Sequence, residues 1–357
     1  MSGRRVIGAG SIGRAAVATA AALVTAAALG GAGRALAAPA AGAAPSAWGM
    51  AHGAKGCMAV IATIRVGRGP NGIASDRKTS AVYVANGASN TVSVISARTD
   101  TVTATIPVGR SPQGAAVDPK TNTIYVASRL GNSVSAISGP TNTVTATFGV
   151  GTEPFGVAAD PKTNTIYVAN YASSTVSVIN GRTNTVTATV PVGAQSFTVA
   201  ADPGTDKIYV PYFGGNTVFV ISGRTNTVTA KIPVGAGPRG VAVDPKTHTI
   251  YVANANDNTV SVINGRTSTV TATVAVGDGP DAVAVHPKTH TIYVTNNGSV
   301  GAPGNTVSVI NGRTNTVTAT ITVGSDPESV AASSRTNTGY VANNGAGTVS
   351  VLGPCPR

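Results

Sequence analysis

The sequence predicts an all-β protein, a seven-bladed propeller of four-stranded blades in which the N-terminal strand completes the last blade. Three observations predict it. A Tyr-Val pair recurs seven times at a nearly constant interval. Each interval holds four short β-branched segments separated by turn residues. The chain also starts with a segment that resembles a fourth strand and stops after a third one. A β-solenoid is the structural alternative.

Two residue pairs mark the period. The tyrosines of the Tyr-Val pairs are Tyr83, Tyr125, Tyr167, Tyr209, Tyr251, Tyr293 and Tyr340, which lie 42 residues apart except for the last interval of 47. The glycines of the Val-Gly pairs keep the same spacing at Gly67, Gly109, Gly151, Gly193, Gly235, Gly277 and Gly324. The five extra residues fall in the Gly- and Pro-containing stretch 298–304, which we interpret as a loop insertion.

Each period contains four strands by the same criteria. In one repeat they are residues 240–244, 249–253, 259–263 and 269–274, all rich in Val, Thr and Ile and bounded by Asp-Pro, Asn-Gly or similar turn sequences. This density of β-branched residues, Gly and Pro excludes a helical repeat. Seven such units stacked around an axis describe the propeller.

The ends of the chain indicate how the ring closes. Residues 60–64 align with a fourth strand, and residues 348–352 with a third strand that has no successor. Cys57 and Cys355 occupy the counterparts of two adjacent loop positions of a complete repeat. In the closed ring they would therefore lie within disulfide range, and we predict a Cys57–Cys355 bond.

The N-terminal part has the composition of an export signal. Arg4 and Arg5 precede an Ala-rich apolar run that ends near small residues at 35–37. We predict a signal peptide at 1–37, a flexible tether at 38–56 and the propeller at 57–357. Cleavage would remove four arginines and no acid from a chain whose formal charge is +12. Sec and twin-arginine export both stay open, and a retained membrane anchor is the alternative to cleavage. No integral membrane segment is expected in the mature chain.

A resemblance accompanies this pattern. Tyr-Val-Ala-Asn at 83–86, 167–170, 251–254 and 340–343, with the variant Tyr-Val-Thr-Asn at 293–296, resembles the YVTN family of β-propeller repeats. The resemblance covers about residues 58–353. It implies an exported or surface-layer propeller that binds or scaffolds, with lactonases and a streptogramin lyase among related seven-bladed propellers. Repeats two and four depart from the motif at Ser128 and Pro211-Tyr212.

Function should reside where the repeats differ from one another. In propellers the loops that enter each first strand share one face with the loops after each second strand. The position at the channel opening, which we call the mouth, reads Asn71, Gln113, Phe155, Phe197, Arg239, Asp281 and Glu328 around the ring. The loops after the second strands add Arg129, Tyr171, Tyr212 and Phe213 on the same face. Aromatic residues thus gather on one side and charged residues, including Asp278, on the other, which suits a ligand or peptide with an apolar and a polar end.

The opposite face repeats a basic residue in both of its loops, and we call it the basic face. Its candidate polyanion-binding residues are Lys78, Lys120, Lys162, Arg182, Arg224, Lys246, Arg266, Lys288 and Arg313. The aspartates of the same loops are expected to serve as turn acceptors. This face is a candidate for DNA or an anionic wall polymer, bound through a salt-sensitive release of counterions.

The sequence contains few patterns that are typical of catalytic sites. No Cys-X-X-Cys, phosphate-binding glycine loop or nucleophile elbow occurs. His248 and His290 share a repeat position on the basic face. Two such neighbours could share a metal ion, but no carboxylate pair at ligand spacing supports one, and we interpret them as surface loop histidines. Glu153, Asp281 and Glu328 are candidate ligands for a lactonase-like metal site. We therefore predict a non-catalytic binding or scaffold protein with no cofactor. Its expected partner is a protein, a peptide or a cell-envelope polymer. The alternatives are polyanion binding and a metal-dependent lactonase or lyase.

Overall fold

Seven four-stranded antiparallel sheets form the blades of a propeller in the computed structural model, which describes residues 57–299 and 301–355. The predicted seven-bladed, all-β fold is therefore confirmed. The predicted segments 1–37 and 38–56 lie outside the described residues. No helix in the described part of the chain is long and apolar enough to cross a membrane.

Each blade runs from an innermost first strand to an outermost fourth strand. The first strands are β2 (Pro70–Asp76), β6 (Pro112–Asp118), β10 (Pro154–Asp160), β14 (Ala200–Asp202), β18 (Pro238–Asp244), β22 (Pro280–His286) and β26 (Pro327–Ser333). The second strands are β3 (Ala81–Asn86), β7 (Thr123–Ser128), β11 (Thr165–Asn170), β15 (Lys207–Tyr212), β19 (Thr249–Asn254), β23 (Thr291–Ser299) and β27 (Thr338–Asn343).

The third and fourth strands complete the blades outward. The third strands are β4 (Thr91–Ser96), β8 (Ser133–Ser138), β12 (Thr175–Asn180), β16 (Thr217–Ser222), β20 (Thr259–Asn264), β24 (Ala302–Asn311) and β28 (Thr348–Pro354). The fourth strands are β5 (Thr101–Pro107), β9 (Thr143–Gly149), β13 (Thr185–Pro191), β17 (Thr227–Pro233), β21 (Thr269–Ala275), β25 (Thr316–Thr322) and β1 (Met58–Arg65). We number the blades 1 to 7 from the blade that contains β2.

The hydrophobic core lies between neighbouring blades rather than inside one sheet. Second and third strands are buried on both faces, and their side chains pack against the adjacent blade. For example, Val92 and Val94 of blade 1 share one cluster with Ile124 and Ile137 of blade 2. Because each blade buries its apolar surface only against its neighbours, the fold needs a closed ring to cover the last two faces.

The tyrosine of the Tyr-Val pair links one blade to the next. Its ring is almost fully buried in every repeat. In blade 2 the Tyr125 hydroxyl donates a hydrogen bond to the Gly181 carbonyl in the third-to-fourth turn of blade 3, at 3.2 Å. Tyr83, Tyr209 and Tyr251 make the same contact with the following blade. A buried ring with a satisfied polar end explains why this residue recurs.

The Val-Gly and Tyr-Val-Ala-Asn signatures meet in space. The Asn86 side chain is fully buried and donates to the hydroxyls of Thr91 and Ser93, at 3.1 and 2.9 Å. A Cβ added to Gly67 would lie 2.6 Å from Cγ of Asn86. Glycine is therefore needed so that the loop that enters a blade can lie directly on the asparagine of that same blade. This contact explains why the two residues recur together.

Blade 7 closes the ring as predicted. Strand β1 pairs with β28 in antiparallel register from Met58↔Pro354 to Arg65↔Thr348. The Cys57–Cys355 disulfide joins the two strands next to this pairing, with a Cα–Cα distance of 5.5 Å. A single cluster, which includes Val351 of blade 7 and Val84 of blade 1, then buries the last inter-blade surface.

The insertion in repeat six is not the loop that its composition predicts. Strands β23 and β24 both run on through it; their register shifts between Asn296 and Gly298, and the pairing extends to Ser299↔Ala302. The prediction of a loop at 298–304 is wrong because Gly298 adopts φ 85° and lets the hairpin extend beyond the pairing that recurs in the other blades. Blade 6 therefore carries an extended hairpin on the mouth face.

The two repeats that depart from the asparagine motif also depart in structure. Blade 2 has a short 3₁₀ turn at Arg129–Gly131 after Ser128, and blade 4 has one at Phe213–Gly215 after Tyr212. Neither Ser128 nor Tyr212 can make the two hydrogen bonds to strand hydroxyls that the asparagine side chain makes. The loop is instead wound into a 3₁₀ turn that ends on a left-handed asparagine.

The first strands approach the axis so closely that four of them require glycine. An ideal Cβ on Gly114 would overlap the carbonyl oxygen of Phe155 in the next blade, and Gly72, Gly156 and Gly240 face the same obstruction. We expect Gly114→Ala to lower the free energy of unfolding by about 1–3 kcal/mol, because the obstructing atoms are backbone. Urea unfolding measures this. Gly149→Ala in β9 is the matched control, since its Cβ would meet nothing within 4 Å; equal losses for both variants would contradict the packing argument.

Candidate functional site

The second residue of each full-length first strand reaches the channel opening. The seven predicted mouth residues lie together around one cavity of about 110 Å³, which the structure lines with Asn71, Gln113, Phe155, Phe197, Arg239, Asp281 and Glu328. These seven residues, which the sequence places at one repeat position, thus line the same opening.

Two loops from each blade form the mouth face, as the repeat pattern predicts. The loop into the first strand and the loop after the second strand are joined by backbone hydrogen bonds. Tyr171 donates to the Glu153 carbonyl at 2.9 Å, and Arg129 donates to the Ser111 carbonyl at 2.9 Å. This pairing explains how Arg129 and Tyr171, which follow second strands, come to lie beside residues of the first strands.

Four aromatic side chains form a continuous wall on one side of the mouth, and we call them the aromatic wall: Phe155, Tyr171, Phe197 and Phe213. The ring centroids of Phe155 and Phe197 are 5.4 Å apart in a T-shaped arrangement, and those of Tyr171 and Phe197 are 4.9 Å apart. Phe213 stands 5.9 Å from Phe197. All four are half-buried. These distances are in the range where aromatic pairs stabilise each other beyond simple burial.

Tyr212 does not join this wall. The sequence pattern groups it with the mouth aromatics, but its ring packs between blades, 5.9 Å from Phe219. It occupies the place of the motif asparagine, and its ring lies directly against Gly193 and Gly215. Tyr212 therefore replaces a framework residue rather than contributing to the mouth.

Two arginines flank the aromatic wall. The Arg129 guanidinium lies 5.1 Å from the Phe155 centroid and forms an ion pair with Glu153 at 3.0 Å. The Arg239 guanidinium lies 4.9 Å from the Phe197 centroid and forms an ion pair with Asp281 at 3.0 Å. Each cation thus contacts a ring face and a carboxylate together. The Arg239 Nε atom is buried and donates no hydrogen bond to any described residue, although it lies 3.0 Å from Asp281.

Asp281 and Glu328 form a carboxyl pair on the other side of the mouth. Asp281 is buried and also accepts a hydrogen bond from the Asn297 amide at 3.4 Å. Burial, together with the charge of Asp281 and a hydrogen bond to it, raises the pKa of Glu328 to about 8, although Arg239 acts in the opposite direction. Glu328 is therefore a protonated, hydrogen-bond-donating acid at neutral pH.

Amide side chains complete the ring. Asn71 donates to the Pro112 carbonyl at 3.4 Å and accepts a hydrogen bond from the Asn344 amide. Gln113 donates to the Ser111 hydroxyl at 3.1 Å. The mouth thus passes from aromatic rings through amides to a guanidinium and a carboxyl pair within one turn around the axis.

A second cavity beside the mouth was not foreseen from the sequence. This side cleft has a volume of about 470 Å³ and is lined by Phe197, Phe213, Arg239, Ala255, Asn256, Asp278, Gly279, Gly298 and Ser299. Its outer boundary is the extended hairpin of blade 6. The insertion in repeat six was the available sequence signal for this cleft. Because we interpreted the insertion as a loop, the sequence did not predict that it forms one side of the cleft.

The mouth does not fit a divalent metal ion. Glu153 is paired with Arg129, away from Asp281 and Glu328, and Asp281 is held by the Arg239 cation. No cluster of three His, Cys, Asp or Glu side chains with metal-binding geometry occurs within residues 57–299 and 301–355. Calcium takes six to eight oxygen ligands, far more than a carboxyl pair supplies. The three acids predicted as a lactonase-like metal site are therefore not brought together.

All nine predicted polyanion-binding residues of the basic face are exposed. None forms an ion pair with an acid among the described residues. The aspartates of the same turns are buried and accept turn hydrogen bonds, as predicted; Asp118, for example, binds the Lys120 amide at 2.8 Å and the Thr121 hydroxyl at 3.0 Å. The basic side chains of this face are thus exposed and not ion-paired, while the carboxyl groups of the turn aspartates lie in the same turns.

The histidines of this face hold blades together. His248 Nδ1 lies 2.9 Å from Asp202 of the preceding blade, and His290 Nδ1 lies 2.5 Å from Asp244 in the same way. His286 replaces the turn aspartate itself and accepts a hydrogen bond from the Thr289 amide at 3.2 Å. Burial lowers the pKa of His286, so its imidazole is neutral. His248 and His290 each contact a different aspartate, so these two loop histidines do not form a shared pair.

Comparisons with known proteins agree with the fold. A family model described as "Lactonase, 7-bladed beta-propeller" matches residues 101–271, from β5 into β21. Among solved structures, hydrazine synthase of Kuenenia stuttgartiensis is similar, with a TM-score of 0.70 at 20% identity over 79% of this chain and 95% of that chain. No curated protein sequence matches the chain. The structural likeness at this identity shows the fold alone, and the family match ends before Asp281 and Glu328.

Proposed function

We propose that this seven-bladed β-propeller is an exported, YVTN-type binding or scaffold protein without catalysis of its own, and that it binds a peptide segment or small ligand at the mouth. One observation carries the proposal. The seven positions at which the repeats differ most converge on one opening, whereas the surrounding framework repeats from blade to blade. Convergent, individually chosen polar and aromatic groups in a concave site are typical of ligand recognition.

The aromatic wall selects an apolar group. Its rings are held by each other and by the two flanking guanidiniums, so they need little ordering on binding. Rigid aromatic side chains lose little conformational entropy when they bind and dominate the binding energy of many interfaces. An aromatic or branched apolar group of the ligand would pack against Phe155 and Phe197.

The opposite side selects a polar but uncharged group. Arg239 and Asp281 neutralise each other, and Glu328 is protonated near neutral pH. The mouth therefore offers donors from Arg239 and Glu328, and acceptors from Asp281 and the amide of Gln113, without a net charge to match. A peptide amide or a hydroxyl group fits this arrangement better than a free carboxylate or ammonium group.

Export to the cell surface or the medium belongs to the same proposal. A Cys57–Cys355 disulfide is stable in an oxidising compartment and is rare in the cytosol. A partner outside the cell, such as a protein, a peptide or a cell-envelope polymer, follows from that location.

Alanine substitution of the aromatic wall tests the proposal. The probes are N-acetylphenylalanine amide and N-acetyltyrosine amide, which combine an aromatic group with amides, and binding is followed by NMR chemical-shift changes. We expect Phe155→Ala with Phe197→Ala to weaken binding at least about tenfold, because buried aromatic contacts contribute most of such affinities. Phe148→Ala is the control, since Phe148 is half-buried on the outer strand β9. Equal affinity in both variants, or no probe binding by the native protein, would refute the proposal.

Polyanion binding through the basic face is the rival proposal, and its dependence on salt concentration distinguishes it from binding at the mouth. Binding to single-stranded DNA or an anionic wall polymer would fall steeply between about 50 and about 200 mM salt, because phosphate contacts release counterions. Such binding would not respond to Phe155→Ala and Phe197→Ala, since the aromatic wall lies on the other face. Salt-sensitive retention with no mouth ligand would transfer the function to the basic face.

Lactone hydrolysis at the mouth is a second candidate, supported by the family match over 101–271 and by the carboxyl pair. Asp281 as general base and protonated Glu328 as general acid would be the participating groups. Hydrolysis of δ-valerolactone that is lost in Glu328→Gln would establish it. Absence of turnover would leave the binding proposal in place.

A further inference from the structure

The channel ends on the basic face in a second recess, larger than the mouth cavity. This recess has a volume of about 360 Å³ and is lined by Ser75, Arg77, Val117, Pro119, Pro161, Ala201, Pro203, Val243, Pro245, Pro287, Ala332 and Ser334. Five of these residues are prolines at one repeat position in five consecutive blades. We call it the proline vestibule. Its lining is apolar except for two serines and one arginine.

The prolines follow from the turn chemistry of the repeats. Each comes directly after the last residue of a first strand, where the chain turns outward; Asp118, for example, precedes Pro119. A proline at this position carries no N–H group, so the rim of the vestibule exposes few hydrogen-bond donors. The recess is consequently suited to hydrocarbon and not to a polar ligand.

Exposed lysines surround this apolar recess. Directly after the vestibule prolines come Lys120, Lys162, Lys246 and Lys288, and Lys78 follows Arg77 at the same repeat position. The Lys78 ammonium group reaches the Lys120 carbonyl of the next blade at 3.1 Å, which shows that adjacent turns of the ring are in contact. The neighbouring aspartates accept hydrogen bonds within their turns, and none forms an ion pair with these lysines, so the lysine ammonium groups have no carboxylate partner among the described residues.

From this juxtaposition we propose that the proline vestibule binds a free single-chain amphiphile with an anionic head group, its alkyl chain in the recess and its head at the lysine ring. A ligand that uses both the apolar recess and the lysines must carry an apolar chain and an anionic group. A polyphosphate chain would use the lysines and leave the apolar recess empty, whereas a neutral hydrocarbon would fill the recess and leave the lysines unused. Apolar burial combined with charge attraction is what recruits such molecules to proteins and membranes.

A bounded recess at one point on the axis accommodates one chain rather than a bilayer surface. The site is separate from the mouth, at the opposite end of the channel, so the failure of either proposal leaves the other standing. It goes beyond the proposed mouth function and assigns the basic face a small ligand.

Calorimetry with decyl phosphate, below the concentration at which it forms micelles, tests the inference on the full purified chain. The comparison probes are neutral decyl glucoside, inorganic phosphate and anionic lipid vesicles. We expect saturable one-to-one binding of decyl phosphate, no measurable binding of inorganic phosphate, and at least about tenfold weaker binding of decyl glucoside. Preferential binding to vesicles, or equal binding of inorganic phosphate, would overturn the proposal.

Two charge-matched triple variants locate the site. Lys120→Gln with Lys162→Gln and Lys246→Gln removes three charges next to the vestibule, and Arg182→Gln with Arg224→Gln and Arg313→Gln removes three charges from the outer turns of the same face. We expect the lysine variant to lose decyl phosphate affinity about tenfold or more and the arginine variant to lose less than about twofold. Equal losses would indicate a diffuse electrostatic effect and refute the assignment.

A filling variant tests the recess itself. Ala332→Leu places a larger side chain in the vestibule lining without changing charge. We expect it to reduce decyl phosphate binding while the aromatic mouth probes bind normally, which also shows that the ring is folded. Unchanged decyl phosphate affinity in a folded Ala332→Leu protein would contradict binding in the recess.

Discussion

Removal of the Cys57–Cys355 disulfide is expected to lower the free energy of unfolding by about 5 kcal/mol, the largest effect that a single covalent change in this propeller should have. The bond closes a loop with a sequence separation of 298 residues, and the entropic stabilisation from a cross-link grows with the length of the loop. The comparison is between the native protein and Cys57→Ser with Cys355→Ser in urea unfolding. Reducing agent supplies the control, since it should destabilise the native protein and leave the double variant unchanged.

The same geometry predicts which part of the propeller unfolds first when the disulfide is absent. Strand β1 is held in its blade by its pairing with β28, by the disulfide and by side-chain packing such as that of Ile64, and no peptide bond links it to the third strand. Amide hydrogen exchange in the double variant should therefore rise first in β1 and then in the cluster that includes Val84 and Val351, where blades 7 and 1 meet. Free energies of unfolding that agree to within about 1 kcal/mol for the native protein and the double variant, with β1 still protected, would contradict this account.

The part of the structure that sequence reasoning could reach is the part that repeats. The Tyr-Val and Val-Gly spacing led to the blade count because each of these residues has a contact that recurs in every blade. Tyr125 reaches the Gly181 carbonyl in the next blade, and Gly67 lies on Asn86 within its own blade. A contact that recurs in every blade requires the same residues in every repeat, so the pattern is visible in a single sequence.

The closure of the ring was predictable for a related reason. Only a missing fourth strand at one end and a surplus one at the other had to be recognised, and the cysteines then fell at adjacent positions. The extended hairpin of blade 6 was not predictable in this way. Its residues lack an alternating apolar pattern, because neither face of the extension is buried in the core, so composition alone indicated a loop.

In the mouth, too, the sequence predicted where residues lie but not which side chains contact each other. That Phe155, Phe197, Arg239 and Asp281 share one opening followed from their repeat position. Which side chains pair there did not follow, because Arg239 could have reached several acids on the same face and its contact with Asp281 depends on the distance between blades. The inter-blade pair of His248 and Asp202 was missed for the same reason.

The carboxyl pair makes the stability of the protein depend on pH through Glu328. Its pKa is raised from the ordinary value of 4.5 to about 8, first by burial and then by the charge of Asp281. In the unfolded chain Glu328 releases its proton near the ordinary value, whereas the folded protein retains it up to about pH 8. Between these values the folded state binds more protons, so its stability falls as pH rises and is lowest above about pH 8. The stabilising, protonated condition is complete below about pH 4.5.

Glu328→Gln is expected to remove this dependence, because a neutral amide keeps the hydrogen bonds of the protonated acid and cannot ionise. Between about pH 5 and about pH 8 the native protein should lose stability relative to Glu328→Gln, as measured by urea unfolding of both proteins at each pH. NMR of carboxyl-labelled glutamate measures the titration directly, since the chain contains only Glu153 and Glu328 and Gln substitution assigns the two signals. Asp281→Asn should lower the pKa of Glu328 by removing the neighbouring charge. A Glu328 signal that titrates near its ordinary value in the native protein would show that the two carboxyls do not interact, and the uncharged polar side of the mouth would then have to be replaced by an anionic one.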